Sequence, residues 1–298
     1  MPAYPRPTYC ATTFDERGGG FHFSAAPPKD VWDTKYLHDA DPWRVLASAL
    51  ARLQRGDFGV FERLAAMLSA VDDLDIRLSG CTLFTFAAPR SALAWLRPLY
   101  EDAAMQKAPE LARQYCKVLC HSGHPDHLRA ALDVYRRTPD PEVRVLVAEY
   151  LSHALEANPG PIATGVTVTV DEELPPAFRE EYPDYDSYAA TVERTLEQAI
   201  KQDRSTNALH AGRPLDIDRL VSDLLTHAHE GEDSMRTNYE RMTFEAITGV
   251  PCYRWFSDEP TPRLLPLQLA AGIEAYREEN RPALVVGQRY FFGRLIPA

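Results

Sequence analysis

A chain of 298 residues that is 45% hydrophobic and 25% charged can bury a sizeable core, as one elongated domain or two compact ones, so intrinsic disorder is not expected. With 43 acidic against 32 basic residues the net charge is −11, which repels phosphate backbones and anionic lipid and attracts a basic protein. No apolar run reaches the roughly 18 to 20 residues that span a bilayer, and Met1 to Tyr9 is Pro-rich without a basic start, so a cytoplasmic protein with no membrane or nucleic-acid partner is expected.

The first forty residues carry Pro2, Pro5, Pro7, Gly18 to Gly20 and Pro27-Pro28, a density of helix breakers that predicts an extended arm with one strand around Phe21 to Phe23. From Asp41-Pro42 the pattern changes. Val45, Leu46, Ala49, Leu50 and Leu53 recur at helical spacing behind an Asp cap and a Pro in the first turn.

A degenerate internal repeat follows. Residues 60–70 and a helix from Ile76 form one helix pair, 92–103 and a helix from Pro109 a second, and 127–137 with the helix after Pro141 a third. Arg77, Arg113 and Arg144 open the second helices at intervals of 36 and 31 residues. Such pairs bury their apolar faces only by stacking on neighbours. Pro139 to Arg144 resembles the start of the second helix of a HEAT repeat. Residues 216–229 and 233–248 predict a fourth pair, with Arg236 in the matching place and Gly249-Val250-Pro251 ending it. These arginines are expected to pair with acids of the adjacent repeat.

Residues 157–215 interrupt the repeats. Gly165 to Val170 alternates Thr and Val as a strand does. An acidic, aromatic stretch follows, and then an amphipathic helix from Ser187 to Gln202. The candidate partner-binding residues lie here. They are the acids Asp171, Glu172, Glu173, Glu180 and Glu181, then Tyr182, Asp184, Tyr185, Asp186 and Tyr188, where aromatic anchors alternate with negative charge. After the fourth pair, Trp255 to Pro266 predicts a Pro-rich loop and 264–279 a helix. Residues 283–296 predict a short hairpin around Gly287 or an apolar tail on the last repeat.

Two clusters have the right residue types for a metal. Cys116, Cys120, His121, His124 and His127 combine thiols with imidazoles, but Cys116 and Cys120 share a helix face with Leu119 and no second CxxC pair accompanies them. His227, His229, Glu230, Glu232 and Asp233 sit where one helix ends and the next is capped, without an HExxH pair. Both are expected to be structural. No GxSxG elbow or GxxxxGK[ST] loop is present. The reading is therefore of a non-enzyme, with no catalytic residues, metal or cofactor.

Arg241-Met242-Thr243-Phe244-Glu245-Ala246-Ile247-Thr248-Gly249-Val250 resembles the FEAITG-type ending of bacterial HEAT-like proteins found with type VI secretion and polymorphic toxin systems. Gly287-Gln288-Arg289-Tyr290-Phe291-Phe292-Gly293 is similar to their G-x-RYFFG tail. The resemblance covers residues 45–156 and 216–298, and implies a cytoplasmic immunity protein whose partner is a cognate toxin. A HEAT-type scaffold or adaptor and a metal-dependent enzyme are the alternatives. The expected fold is mainly α, an α-α superhelix of HEAT-like helix pairs with an inserted segment and a short β-like C-terminal tail. The expected divisions are an arm at 1–40, repeats at 41–156, the insertion at 157–215, and a helix pair with its tail at 216–298.

Overall fold

The computed structural model describes residues 4–13, 20–98, 109–155, 168–170, 181–183, 185–202, 207–230, 235–256, 265–279 and 283–297. The chain is mainly α-helical and divides into two compact units, one built from 1–99 with 215–298 and the other from 100–214.

The first unit opens with the antiparallel strands β1 (Cys10–Thr13) and β2 (Gly20–Phe23), in register Cys10 to Phe23. The expected strand thus has a partner. Short 3-10 turns at Lys29–Trp32 and Thr34–His38 lead to α1 (Pro42–Leu53), where the Asp41 carboxylate accepts the Trp43 N–H at 3.0 Å and Pro42 occupies the first turn. Helices α2 (Phe61–Ala70) and α3 (Leu74–Ala87) pack on α1 and on each other. The Phe61 and Phe84 rings meet edge to face with centroids 4.8 Å apart. Gly80 permits the close α2–α3 approach, since a Cβ there would lie 2.6 Å from Leu68 Cδ2. Each fully buried Leu or Phe of this layer stabilises the fold by about 1.5–3 kcal/mol. A 3-10 turn at Arg90–Ala92 leads into helix at 93–98.

In the second unit, α4 (Pro109–His121), α5 (Pro125–Arg137) and α6 (Pro141–Leu155) pack pairwise. Strands β3 (Val168–Val170) and β4 (Glu181–Pro183) pair antiparallel. Helix α7 (Tyr185–Gln202), from the segment that interrupts the repeats, lies against α5 and α6, and Arg136 bonds Glu193 at 2.8 Å. A last hairpin, β5 (Leu209–His210) and β6 (Arg213–Pro214), turns through Ala211 and Gly212, both at positive φ. The Leu209 N–H donates to the Gly123 carbonyl at 2.9 Å, and the Gly212 N–H donates to Ala154 at the end of α6 at 3.1 Å.

The chain then completes the first unit. Asp216 caps α8 (Ile217–Glu230), accepting the Asp218 N–H at 3.0 Å, and α8 packs on α9 (Met235–Thr248). Gly249, at φ +75°, ends α9 by donating to the Glu245 carbonyl at 2.7 Å. A 3-10 turn at Cys252–Trp255 and helix α10 (Pro266–Glu278) close a core of Leu220, Leu224, Phe244, Trp255, Leu269 and Ile273. Strands β7 (Tyr290–Phe291) and β8 (Arg294–Leu295) form the tail hairpin. Its turn is at Phe292-Gly293, five residues beyond the Gly287 centre expected from sequence, because Gly287 instead donates to the Leu215 carbonyl at 2.8 Å. Among the described residues no helix is long and apolar enough to cross a membrane.

Candidate functional site

The candidate partner-binding residues are only partly brought together. Asp171, Glu172, Glu173, Glu180 and Asp184 lie outside the described residues. Glu181 and Tyr182 are on β4, opposite Val170 and Thr169, while Tyr185 begins α7 and Asp186 is exposed in its first turn. Tyr188 is not a surface anchor. It is buried against the Tyr135 ring, 5.0 Å between centroids, and its hydroxyl donates to the Ala148 carbonyl at 2.7 Å. The physical reason is helical phase: Tyr188, Ala189, Val192, Leu196 and Ala199 form the buried stripe by which α7 packs.

The Cys and His residues of 116–127 have structural positions. Cys116 and Cys120 are fully buried on α4; burial pushes the Cys116 thiol up to about 12 and the Cys120 thiol well above its ordinary range, so both are neutral thiols at physiological pH. His124 is the N-cap of α5, its Nδ1 accepting the Asp126 N–H at 3.1 Å. Ser122 donates to the Leu119 carbonyl at 2.8 Å, and its Oγ is 2.7 Å from Nδ1 of buried His127. His121 meets the Tyr150 ring edge to face. In the other cluster, His227 Nδ1 is 2.7 Å from Oε2 of Glu240, a carboxylate with no solvent exposure. Arg77 does not reach a neighbouring repeat: it bonds Asp72 at 2.8 Å and the Val71 carbonyl, both just before its own helix. The side chains of Arg113 and Arg236 lie outside the described set.

The two C-terminal motifs interlock. The Phe292 N–H donates to the Ala246 carbonyl and the Gly293 N–H to that of Ile247, each at 2.7 Å, so the tail hairpin caps α9. Phe292 is held at φ +49° to make the turn, an uncommon conformation for a bulky residue, and its ring lies over Gly249, where a Cβ would come within 2.7 Å of it. Arg289 is buried beside this hairpin, and its guanidinium donates to the Thr85 carbonyl at 3.0 Å and to the Ala88 carbonyl. It thus places positive charge on the last carbonyls of α3, the negative end of the helix. Burial lowers its pKa to about 10, which leaves it charged at neutral pH.

The interlock helps to build a cleft in the first unit, about 450 Å³ of non-atom space of which part is open solvent. Phe21 and His22 come from β2, and Leu83 and Phe86 from α3. Helix α9 contributes Met242 and Glu245, and the tail contributes Phe291 and Phe292. The walls are thus mainly aromatic and aliphatic, with the Thr82 hydroxyl, one carboxyl and one imidazole among the described residues. Burial raises the Glu245 pKa, opposed by the Arg241 guanidinium 3.4 Å away and by the backbone N–H of Cys252. Burial lowers the His22 pKa, so its imidazole is neutral at physiological pH. A concave apolar recess with few polar groups and a perturbed carboxyl has the properties of a binding site.

No family model, curated protein or solved structure matches the chain.

The cleft was not readable from the sequence, because its walls come from four separated segments. Met242, Glu245 and Ala246, inside the FEAITG-type ending, and the RYFFG-like tail carry a local signal, but neither motif by itself implies that they meet.

Proposed function

We propose that the protein is an immunity protein, a cytoplasmic inhibitor that binds a cognate secreted toxin of a type VI or polymorphic toxin system and occludes it. Helix pairs α2–α3, α5–α6 and α8–α9 each pack together, which suits a HEAT-like superhelical array with extended binding surfaces. The net charge of −11 favours a basic partner. The observation that carries the reading is the aromatic cleft beside the joined FEAITG and RYFFG segments: it offers a recess for a side chain of another protein, bordered by the motifs that resemble the immunity proteins.

The test is protection. Cells expressing the toxin domain encoded beside this protein's gene should survive when the protein is co-expressed, and the purified pair should form a one-to-one complex. Death of the co-expressing cells, with the protein present at normal levels, would overturn the proposal. Binding to several host proteins without protection would support a scaffold instead.

A further inference from the structure

We infer that the cleft between β2, α3, α9 and the tail hairpin is a receptor for an arginine side chain of the protein partner, with the guanidinium on Glu245 and the stem among the phenyl rings. The inference deepens the proposed function and rests on its premise that the partner is a protein.

Three features of the cleft support this occupant. The first is charge. Among the residues lining the recess, Glu245 is the one that carries a negative charge when ionised, and the whole chain is acidic, so a cationic guest is attracted both at long range and at the site. His22 offers no competing positive charge because burial keeps it neutral.

The second is unused acceptor capacity. A carboxylate presents about four lone-pair directions on its two oxygens. Glu245 has its contact with Arg241 at 3.4 Å, longer than a good charge-assisted hydrogen bond of about 2.7–2.9 Å, and the backbone N–H of Cys252 as a further donor. Arg241 is drawn elsewhere, with its guanidinium carbon 5.1 Å from the centroid of the Phe256 ring. A planar guanidinium arriving from the cleft would add its donors to this part-buried carboxylate.

The third is wall chemistry. Phe86 and Phe292 are partly exposed and Phe21 and Phe291 are buried, so four phenyl rings line the recess, side chains that suit both a planar cation and its alkyl stem. A lysine ammonium is more strongly hydrated and has no flat face to stack, and a carboxylate guest would meet Glu245 with like charge.

The experiment uses the intact protein, labelled at its methionine methyls, with Met242 as the reporter on the cleft wall. Benzamidinium, which joins a planar cationic fork to a phenyl ring, and N-acetyl-arginine-methylamide are titrated, alongside neutral benzamide and anionic benzoate. Both cations should shift the Met242 methyl with dissociation constants of about 1 mM, and benzamide should bind about tenfold more weakly. Benzoate should leave the signal in place. Glu245→Gln should weaken benzamidinium about tenfold without changing the other methionine signals, and Phe86→Leu should weaken it with Glu245 still present.

Equal affinity for benzamidinium and benzamide in the wild type would overturn the inference, whatever the variants do. A Met242 signal unmoved by capped arginine at tens of millimolar, or about ten times the expected constant, would overturn it as well. The titration involves no toxin, so its failure is separate from a failure of the protein to protect cells.

Discussion

The backbone N–H of Phe292 donates to the carbonyl of Ala246 at 2.7 Å, and the next N–H along, that of Gly293, donates to Ile247 at the same distance. These two bonds satisfy carbonyls that the end of α9 leaves without helical partners. They also offset the strain of holding Phe292 at positive φ.

Gly249→Ala should therefore be among the more damaging small substitutions. The added methyl meets the Phe292 ring and forces alanine to φ +75°. A loss of about 1–3 kcal/mol is expected, measured by urea denaturation, with the slope of the transition unchanged.

Arg289→Met should cost about 2–4 kcal/mol, because the Thr85 and Ala88 carbonyls would lose a buried charged donor. Arg289→Lys keeps the charge but lacks the planar fork that reaches both oxygens, so its loss should be intermediate. Thermal melting of the three proteins gives the order directly.

Glu245→Gln tests the cleft carboxyl by pH. Burial raises its folded-state pKa above the ordinary 4.5, so the folded protein holds this proton more tightly than the unfolded chain. The resulting stabilisation is complete below the unfolded value and is lost as pH rises through the folded one. The amide variant should thus gain stability relative to wild type between pH 4 and pH 7, followed by urea midpoints across that range. A relative loss on raising the pH would show that Arg241 outweighs burial.

The thiols should be silent. All five cysteines are buried and none is in a disulfide, and the Cys10 and Cys116 thiols are both pushed up to about 12. Native protein at pH 8 should not react with a disulfide reagent on the minutes timescale, and denaturation should release five thiols.

Tyr188→Phe removes the hydroxyl that donates to Ala148 and lies 3.4 Å from Ser152 Oγ, and should cost about 1 kcal/mol. Partner binding should be unchanged. A selective loss of binding would restore Tyr188 to the surface role suggested by its acidic neighbourhood.

Helices were the legible part of this sequence, because their signals are local. Asp41, Asp73 and Asp216 stand before apolar-periodic runs and each accepts backbone N–H groups of the helix it opens. Gly249 could be recognised as a helix stop for the same reason. The acidic neighbours of Tyr188 in sequence say nothing about which side of α7 faces inward; the apolar spacing of Ala189, Val192 and Leu196 holds that information. Arg289 and the cleft were hidden because their partners lie in distant segments, and no local pattern encodes such a meeting. The two X-Gly-Arg stretches, Ala211-Gly212-Arg213 and Phe292-Gly293-Arg294, carry a weaker local signal. Each marks a two-residue turn with both central residues at positive φ, and each donates to a carbonyl near the end of a helix, Ala154 in one unit and Ile247 in the other.

The Arg289 bonds to Ala88 and Thr85 join positions 201 and 204 residues apart, with the whole of the second unit encoded between them. During synthesis from the N-terminus, α3 must wait with its final carbonyls uncovered until Arg289 has been translated, while residues 100–214 can already have collapsed as their own unit. The cleft, which takes Phe291 and Phe292 as part of its wall, does not exist on the nascent chain. A chain released before Phe291 would carry helices α1 to α10 and no finished recess.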